Sequence, residues 1–206
     1  MSDYKNKPAF KDSDLKDKFI EDNNLRFLRY YQLDALKAIQ NGIKEGKERF
    51  LLEMATGTGK TLTSAAIIKM FIRLYGVKRV LFLVDRLELE SQAQIQFTQV
   101  LKNDFTTGVW KEKEKNWNRA EIVISTVQSF VSNNKYKRIF KEDDFDLVIS
   151  DEAHRSLGKK SRRVFEHFVG YKLGLTATPK DFLKSVDIEN MSETEPRGLE
   201  KRLMRQ

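Results

Sequence analysis

Two short stretches carry residue types that could do chemistry on phosphate. The first is Met54-Ala55-Thr56-Gly57-Thr58-Gly59-Lys60-Thr61. A loop that wraps a phosphate needs inward-facing backbone N–H groups, and therefore glycines where φ is unusual or the ligand comes close. It needs a helix beginning there, so that free N–H groups and the helix dipole face the anion. It also needs a lysine for the β/γ-phosphates and a hydroxyl for Mg²⁺. Ala55, Thr56, Gly57, Thr58 and Gly59 supply the loop, Lys60 the cation and Thr61 the hydroxyl. The pattern G-x-x-x-x-G-K-[ST] is departed from once, with Met54 in place of its first glycine.

The second stretch is Asp151-Glu152-Ala153-His154, which follows the apolar run Phe145–Ser150. A carboxylate at the C-terminal end of a strand in an open α/β sheet faces the ligand crevice. There Asp151 is placed to hold Mg²⁺, directly or through water. Glu152 is placed to orient and deprotonate an attacking water. An acidic pair opening a surface helix is the plain alternative, but it does not account for the phosphate loop upstream.

These groups must be positioned by regular elements, and the apolar pattern supplies them. Leu33, Leu36, Ile39 and Ile43 recur at helical spacing within 31–44. Strands are expected at 49–54, 79–84, 120–125, 145–150 and 171–176, with helices at 60–74 and 87–101. Near-continuous apolar strands separated by helices imply a mostly parallel sheet covered on both faces. The charged run 111–115, between Trp110 and Trp117, is expected to be a solvated connection. The expected organisation is a polar lead-in (1–28), one α/β domain (29–180) and a polar C-terminal segment (181–206).

Composition narrows the field. The chain has 206 residues, no cysteine and two histidines, His154 and His167. Disulfides, zinc ribbons, iron–sulfur clusters, cysteine nucleophiles and His-rich metal sites are thereby excluded. No run of eighteen apolar residues suggests a membrane span, and the first residues lack the apolar core of a secretory signal, so the expected setting is cytoplasmic. Net charge is +8, and the two flanks 1–28 and 180–206 are each balanced at six basic and six acidic side chains. The excess sits in the expected domain, which suits a polyanion such as nucleic acid and suits a lysine-rich soluble surface equally well.

The set Ala55–Thr61, Asp151–His154 and Thr176-Ala177-Thr178 resembles motifs I, II and III of the DEAH-type superfamily 2 helicases and translocases. Leu28-Arg29-Tyr30-Tyr31-Gln32 is similar to that superfamily's adenine-recognition element. Leu83-Val84-Asp85-Arg86 resembles motif Ia, and Ser125-Thr126-Val127-Gln128-Ser129 the Ib/Ic region. The wording around these motifs most resembles the motor subunit of type I restriction enzymes. The likeness covers about 28–180.

The resemblance implies a RecA-like P-loop fold that binds ATP with Mg²⁺. It implies that Gln32, whose amide offers a donor and an acceptor, reads adenine with Arg29 beside it. Arg86, Thr126 and Gln128 would contact the phosphate backbone of duplex DNA without reading sequence, and Thr176 and Thr178 would couple the γ-phosphate state to the rest of the motor. Water would attack the γ-phosphorus in line, with Lys60 and Mg²⁺ neutralising charge and Glu152 handling the water. Other subunits of a restriction–modification complex are the implied partners, and no membrane is implied. Motors of this superfamily work between two RecA-like domains, and residues beyond 179 have neither length nor pattern for a second one. ATP binding with poor turnover is therefore expected of this chain alone. A repair translocase or RNA helicase of the same superfamily, and a non-catalytic nucleotide-binding interaction module, are the alternative readings. The basic run Arg155–Arg163 fits a nucleic-acid or partner surface, or a solvated helix start.

Overall fold

The computed structural model describes residues 21–22, 28–101, 104–111, 115–151 and 159–177. Six parallel strands form one sheet: β1 (Arg49–Glu53), β2 (Val80–Val84), β3 (Thr107–Val109), β4 (Ile122–Thr126), β5 (Leu147–Ser150) and β6 (Tyr171–Thr176). Their order across the sheet is β1-β6-β5-β2-β4-β3. The helices are α1 (Tyr30–Lys44), α2 (Lys60–Tyr75), α3 (Leu87–Leu101), α4 (Val127–Val131), α5 (Tyr136–Ile139) and α6 (Lys159–His167).

Successive strand residues face opposite sides of a sheet, and here each side meets its own core. Val80, Phe82 and Val84 of β2 join Ile122, Ile124 and Ile149 in a core capped by residues of α1, α2 and α3. Leu81 and Leu83 join Val123 and Val148 in a second core with Trp110, Trp117, Phe130, Tyr136, Phe140, Phe145 and Phe168. Phe130 is the hub of this aromatic layer, stacked on Tyr136 at 5.5 Å and on Phe140 at 5.6 Å between ring centroids. The apolar runs of the central strands are thus explained by burial on both faces.

One strand is absent from the sequence reading. β3 is three residues long and pairs with β4 through Thr107–Ile122 and Val109–Ile124. A Cβ on Gly108 would stand 2.7 Å from the Trp117 backbone, so glycine is what lets this strand lie against the turn at 115–118. The connection expected to be solvated is anchored at both ends: Trp110 and Trp117 are buried, and the Trp117 indole N–H donates to the Lys111 carbonyl at 2.9 Å.

Candidate nucleotide site and its neighbouring sheet edge

Because all six strands are parallel, every strand ends on the same side of the sheet, where open α/β proteins bind ligands. The order β1-β6-β5 brings three of the sequence motifs to adjacent strand ends. The 54–59 loop follows β1, Thr176 closes β6, and Asp151 follows β5. With neighbouring strands about 4.8 Å apart, the loop and Asp151 lie roughly two strand widths from each other, with Thr176 between. The next strands, β2 and β4, end at Asp85–Arg86 and at Thr126. The edge therefore divides into a half carrying the phosphate-type residues and a half carrying the candidate nucleic-acid contacts.

The loop has the backbone its sequence demands. Gly57 and Gly59 have φ of +80° and +83°, in the left-handed region that a side chain disfavours. No atom of the described residues lies within 4 Å of where a Cβ on Gly57 would stand. Gly59 is the N-cap of α2, so the helix begins at Lys60, and its first N–H groups and dipole face the loop. Met54, in place of the expected first glycine, is buried. Its N–H donates to the Thr176 carbonyl at 2.8 Å, stitching the start of the loop to the end of β6. Ala55, Thr56 and Gly57 are exposed, whereas Thr58, Gly59, Lys60 and Thr61 are partly buried.

α1 holds the loop from the side. Gln32 is 2% exposed, and its amide is engaged at both ends. The Arg29 N–H donates to Oε1 at 2.9 Å, and Nε2 donates to the carbonyls of Thr58 at 3.2 Å and Gly59 at 3.4 Å. The first of these closes a capping box at the start of α1. The Tyr31 hydroxyl also donates to the Thr58 carbonyl, at 2.9 Å. A Cβ on Gly59 would meet Gln32 Nε2 at 2.8 Å, so a side chain there would push the Gln32 amide off the loop in addition to straining φ. In this geometry Gln32 is a clamp on the 54–59 loop, and Arg29 is exposed beside it.

At β5, Asp151 is partly buried, and its N–H donates to the Leu83 carbonyl of β2 at 2.8 Å. Glu152 and Thr178 lie outside the described residues. Among the described residues no cluster of three His, Asp or Glu side chains could hold a metal ion. That does not count against Mg²⁺, which takes one or two carboxylates plus phosphate oxygens and water. The Thr61 hydroxyl and the Asp151 carboxylate are the donors that fit it.

On the other half, the Arg86 side chain is 67% exposed and lies 3.8 Å from the Asp85 carboxylate. Gln128 is exposed on α4. Thr126 is buried, and its hydroxyl is committed within the protein. It accepts the Ser129 N–H at 3.1 Å as N-cap of α4 and donates to the Ser129 hydroxyl at 2.7 Å. The sequence reading missed Glu90, a buried carboxylate on α3 that accepts the Thr126 N–H at 2.5 Å. Burial pushes the Glu90 carboxyl pKa up, opposed by that hydrogen bond and by Lys111. Its signal was the buried stripe Glu90, Ala93, Phe97 and Leu101, in which one carboxylate shares the helical spacing of apolar residues. Glu90 ties the helix after Arg86 to the turn that presents Gln128.

Residues 26–181 match the family described as type III restriction enzyme, res subunit (ResIII). The chain is 35% identical over 182 residues to the type I restriction enzyme EcoKI endonuclease subunit of Escherichia coli K12, covering 74% of this chain and 15% of that protein. It is 34% identical over 174 residues to the EcoAI endonuclease subunit of E. coli, covering 79% and 21%. Among solved structures, a nuclease-deletion mutant of the Type ISP restriction-modification enzyme LlaGI in complex with a DNA substrate mimic aligns with a TM-score of 0.58 at 28% identity, over 74% of this chain and 17% of that one. The Hef helicase domain of Pyrococcus furiosus aligns with a TM-score of 0.61 at 23% identity, over 80% and 36%, and shares the fold. The chain thus spans about a fifth or less of these restriction subunits.

Proposed function

The chain belongs to the ResIII helicase family, and from that premise we propose that it is the first RecA-like, ATP-binding domain of a DNA translocase in a type I restriction–modification motor subunit. The observation that carries this reading is the division of one sheet edge. The phosphate loop, Thr176 and Asp151 end three adjacent strands, and Arg86 and Gln128 follow the next two. Energy-yielding and strand-contacting residues thus share one rigid sheet.

The Lys60 ammonium faces the β/γ-phosphates at the start of α2, where backbone N–H groups of the loop add to it. Thr61 and Asp151 would hold Mg²⁺, which would supply charge neutralisation on the phosphate oxygens when bound. Glu152 accepts the proton of the attacking water. Thr176 closes β6, the strand between the other two, Thr178 comes two residues later in the chain, and the two couple the state of the γ-phosphate to the second motor domain. Arg29 and Gln32 border the loop where the base lies, with Gln32 acting first through its grip on Thr58 and Gly59. Duplex DNA is held by its phosphates, and the other subunits of the restriction–modification complex are the protein partners.

Calorimetric titration with a non-hydrolysable ATP analogue and Mg²⁺ tests the site. Lys60→Ala should remove most of the affinity, and an unchanged affinity would sink the phosphate-loop assignment. An RNA helicase or repair translocase remains a reading of the same fold, distinguished by which nucleic acid stimulates hydrolysis.

A further inference from the structure

Glu90 is a buried titratable group to which the proposed mechanism gives no part. It is 5% exposed and holds one position of the buried stripe Glu90, Ala93, Phe97 and Leu101 on α3. An apolar side chain there would pack as its neighbours do. A buried carboxylate costs desolvation free energy, so what this position needs is an acceptor. The donor it serves is at the sheet edge. Ile122 N–H donates to the Thr106 carbonyl, and the Ile124 carbonyl accepts the Trp110 N–H, both on the β3 side of β4. Backbone groups of alternate strand residues point the same way, so the Thr126 N–H points to that side too. β3 ends at Val109, opposite Ile124, and the Thr126 N–H donates to Glu90 Oε1 at 2.5 Å. Thr126 is also the N-cap of α4, its hydroxyl accepting the Ser129 N–H at 3.1 Å.

This bond joins two turns beyond the reach of the sheet ladder. β2 and β4 are paired up to Val84 and Thr126, after which the chain departs into α3 and α4. On one side the Arg86 carbonyl accepts the Leu89 N–H at 3.1 Å. Arg86 therefore opens the helical turn that leads to Glu90. On the other side Gln128 follows Thr126 in the first turn of α4. Arg86 and Gln128 are thus linked through one helical turn, one hydrogen bond and one cap.

We propose that Glu90 is a positioning residue, whose carboxylate braces the start of α4 against the start of α3 so that Arg86 and Gln128 act on DNA as one unit. Glu90 is buried and touches no ligand itself. The proposal rests on the DNA-translocase reading. Without the brace, the arrangement in which both side chains reach the phosphate backbone is one of several. Apparent affinity then falls by the fraction of molecules that hold it.

The test is a double-mutant cycle read by fluorescence anisotropy of the chain on labelled duplex DNA at about 50 mM salt. Glu90→Met removes the acceptor at similar volume and should weaken DNA binding about tenfold, the scale of one hydrogen bond to a charged group. Binding of a non-hydrolysable ATP analogue with Mg²⁺ should stay within about twofold of the parent, since the Lys60 loop is held from α1. In the parent, Arg86→Ala and Gln128→Ala together should cost at least about threefold less than the product of their separate effects. In the Glu90→Met background the two effects should multiply. Glu90→Gln keeps an acceptor oxygen at the same reach and should restore both the coupling and the affinity, to within about threefold of the parent. A carboxylate that served the fold alone would leave the coupling as it is. Where Glu90→Met does not fold, Glu90→Asp, one methylene short of Thr126, carries the same expectations. The brace is overturned if Glu90→Met matches the parent in DNA affinity and coupling, or loses the ATP analogue equally. Effects that already multiply in the parent, or a Glu90→Gln variant no better than Glu90→Met, overturn it too. If Arg86→Ala and Gln128→Ala each leave DNA binding unchanged in the parent, the reading of those contacts fails, and the brace with it.

Discussion

Replacing Gln32 by alanine separates two roles that one side chain could have. The structure gives its amide three hydrogen bonds, to Arg29 N–H and to the Thr58 and Gly59 carbonyls. The Thr58 carbonyl would keep the Tyr31 hydroxyl, and the Gly59 carbonyl would keep the Thr63 N–H. Neither is orphaned, so the loss is that of ordinary net hydrogen bonds, about 0.5–1.5 kcal/mol each and least for the long contact at Gly59. With the small void left by a buried side chain, roughly 2 kcal/mol is expected in total. For a domain of this size that lowers the melting temperature by about 4–8 °C. The loop is what loosens, so affinity should fall about tenfold for an ATP analogue and by a similar factor for tripolyphosphate, which has no base. Calorimetry with the two ligands and a thermal melt without ligand make the comparison. A variant that loses ATP alone, keeps tripolyphosphate and melts like the parent would refute the clamp and make Gln32 an adenine reader only.

Glu152→Gln should retain ATP and Mg²⁺ binding while slowing turnover of the complete motor by about 10²-fold or more, the scale of a lost general base; loss of Mg²⁺-dependent binding instead would exchange the roles of the two carboxylates. Arg86→Ala should weaken binding to two unrelated duplexes equally and flatten the salt dependence by nearly one phosphate, and an unchanged slope in anisotropy would return Arg86 to the solvent. Lys172, buried in β6 with its ammonium donating to the Gly170 carbonyl, has its pKa lowered by burial from 10.5 to about 8, with Arg49 adding to the effect and Glu48 opposing it. Between those values the unfolded chain binds more protons than the folded one, so stability should rise as pH increases from about 8 towards 10.5. Lys172→Met should add about 1–3 kcal/mol at pH 7 and abolish that rise, as urea melts at pH 7 and 9.5 would show.

Much of this fold was legible because its elements are defined by local patterns. The helix Leu87–Leu101 and the strand Tyr171–Thr176 have the bounds their apolar residues suggest. β3 was not legible: Thr107-Gly108-Val109 is too short to show a period and contains a strand-weakening glycine. It is a strand because β4 pairs with it and Trp117 packs over Gly108. The site divides along the same line. Gly57, Gly59 and Lys60 suggest by type and spacing alone the glycine turn and helix start that the structure has there. The contacts that hold it, Gln32 and Tyr31 on Thr58, span 26 and 27 residues. The Glu90 bond to Thr126 spans 36. Sequence spacing cannot display any of these. Thr126 makes the same point in reverse, since a hydroxyl that looked available for phosphate caps α4 instead.

The central claim is that this domain turns ATP hydrolysis into work on DNA, and the direct test is the hydrolysis rate of the polypeptide that joins it to a second RecA-like domain. The rate should rise at least about tenfold with duplex DNA, a barrier change near 1.4 kcal/mol, stay near basal with single-stranded RNA, and vanish in Lys60→Ala. A rate indifferent to duplex DNA, or one raised by RNA alone, would contradict the account.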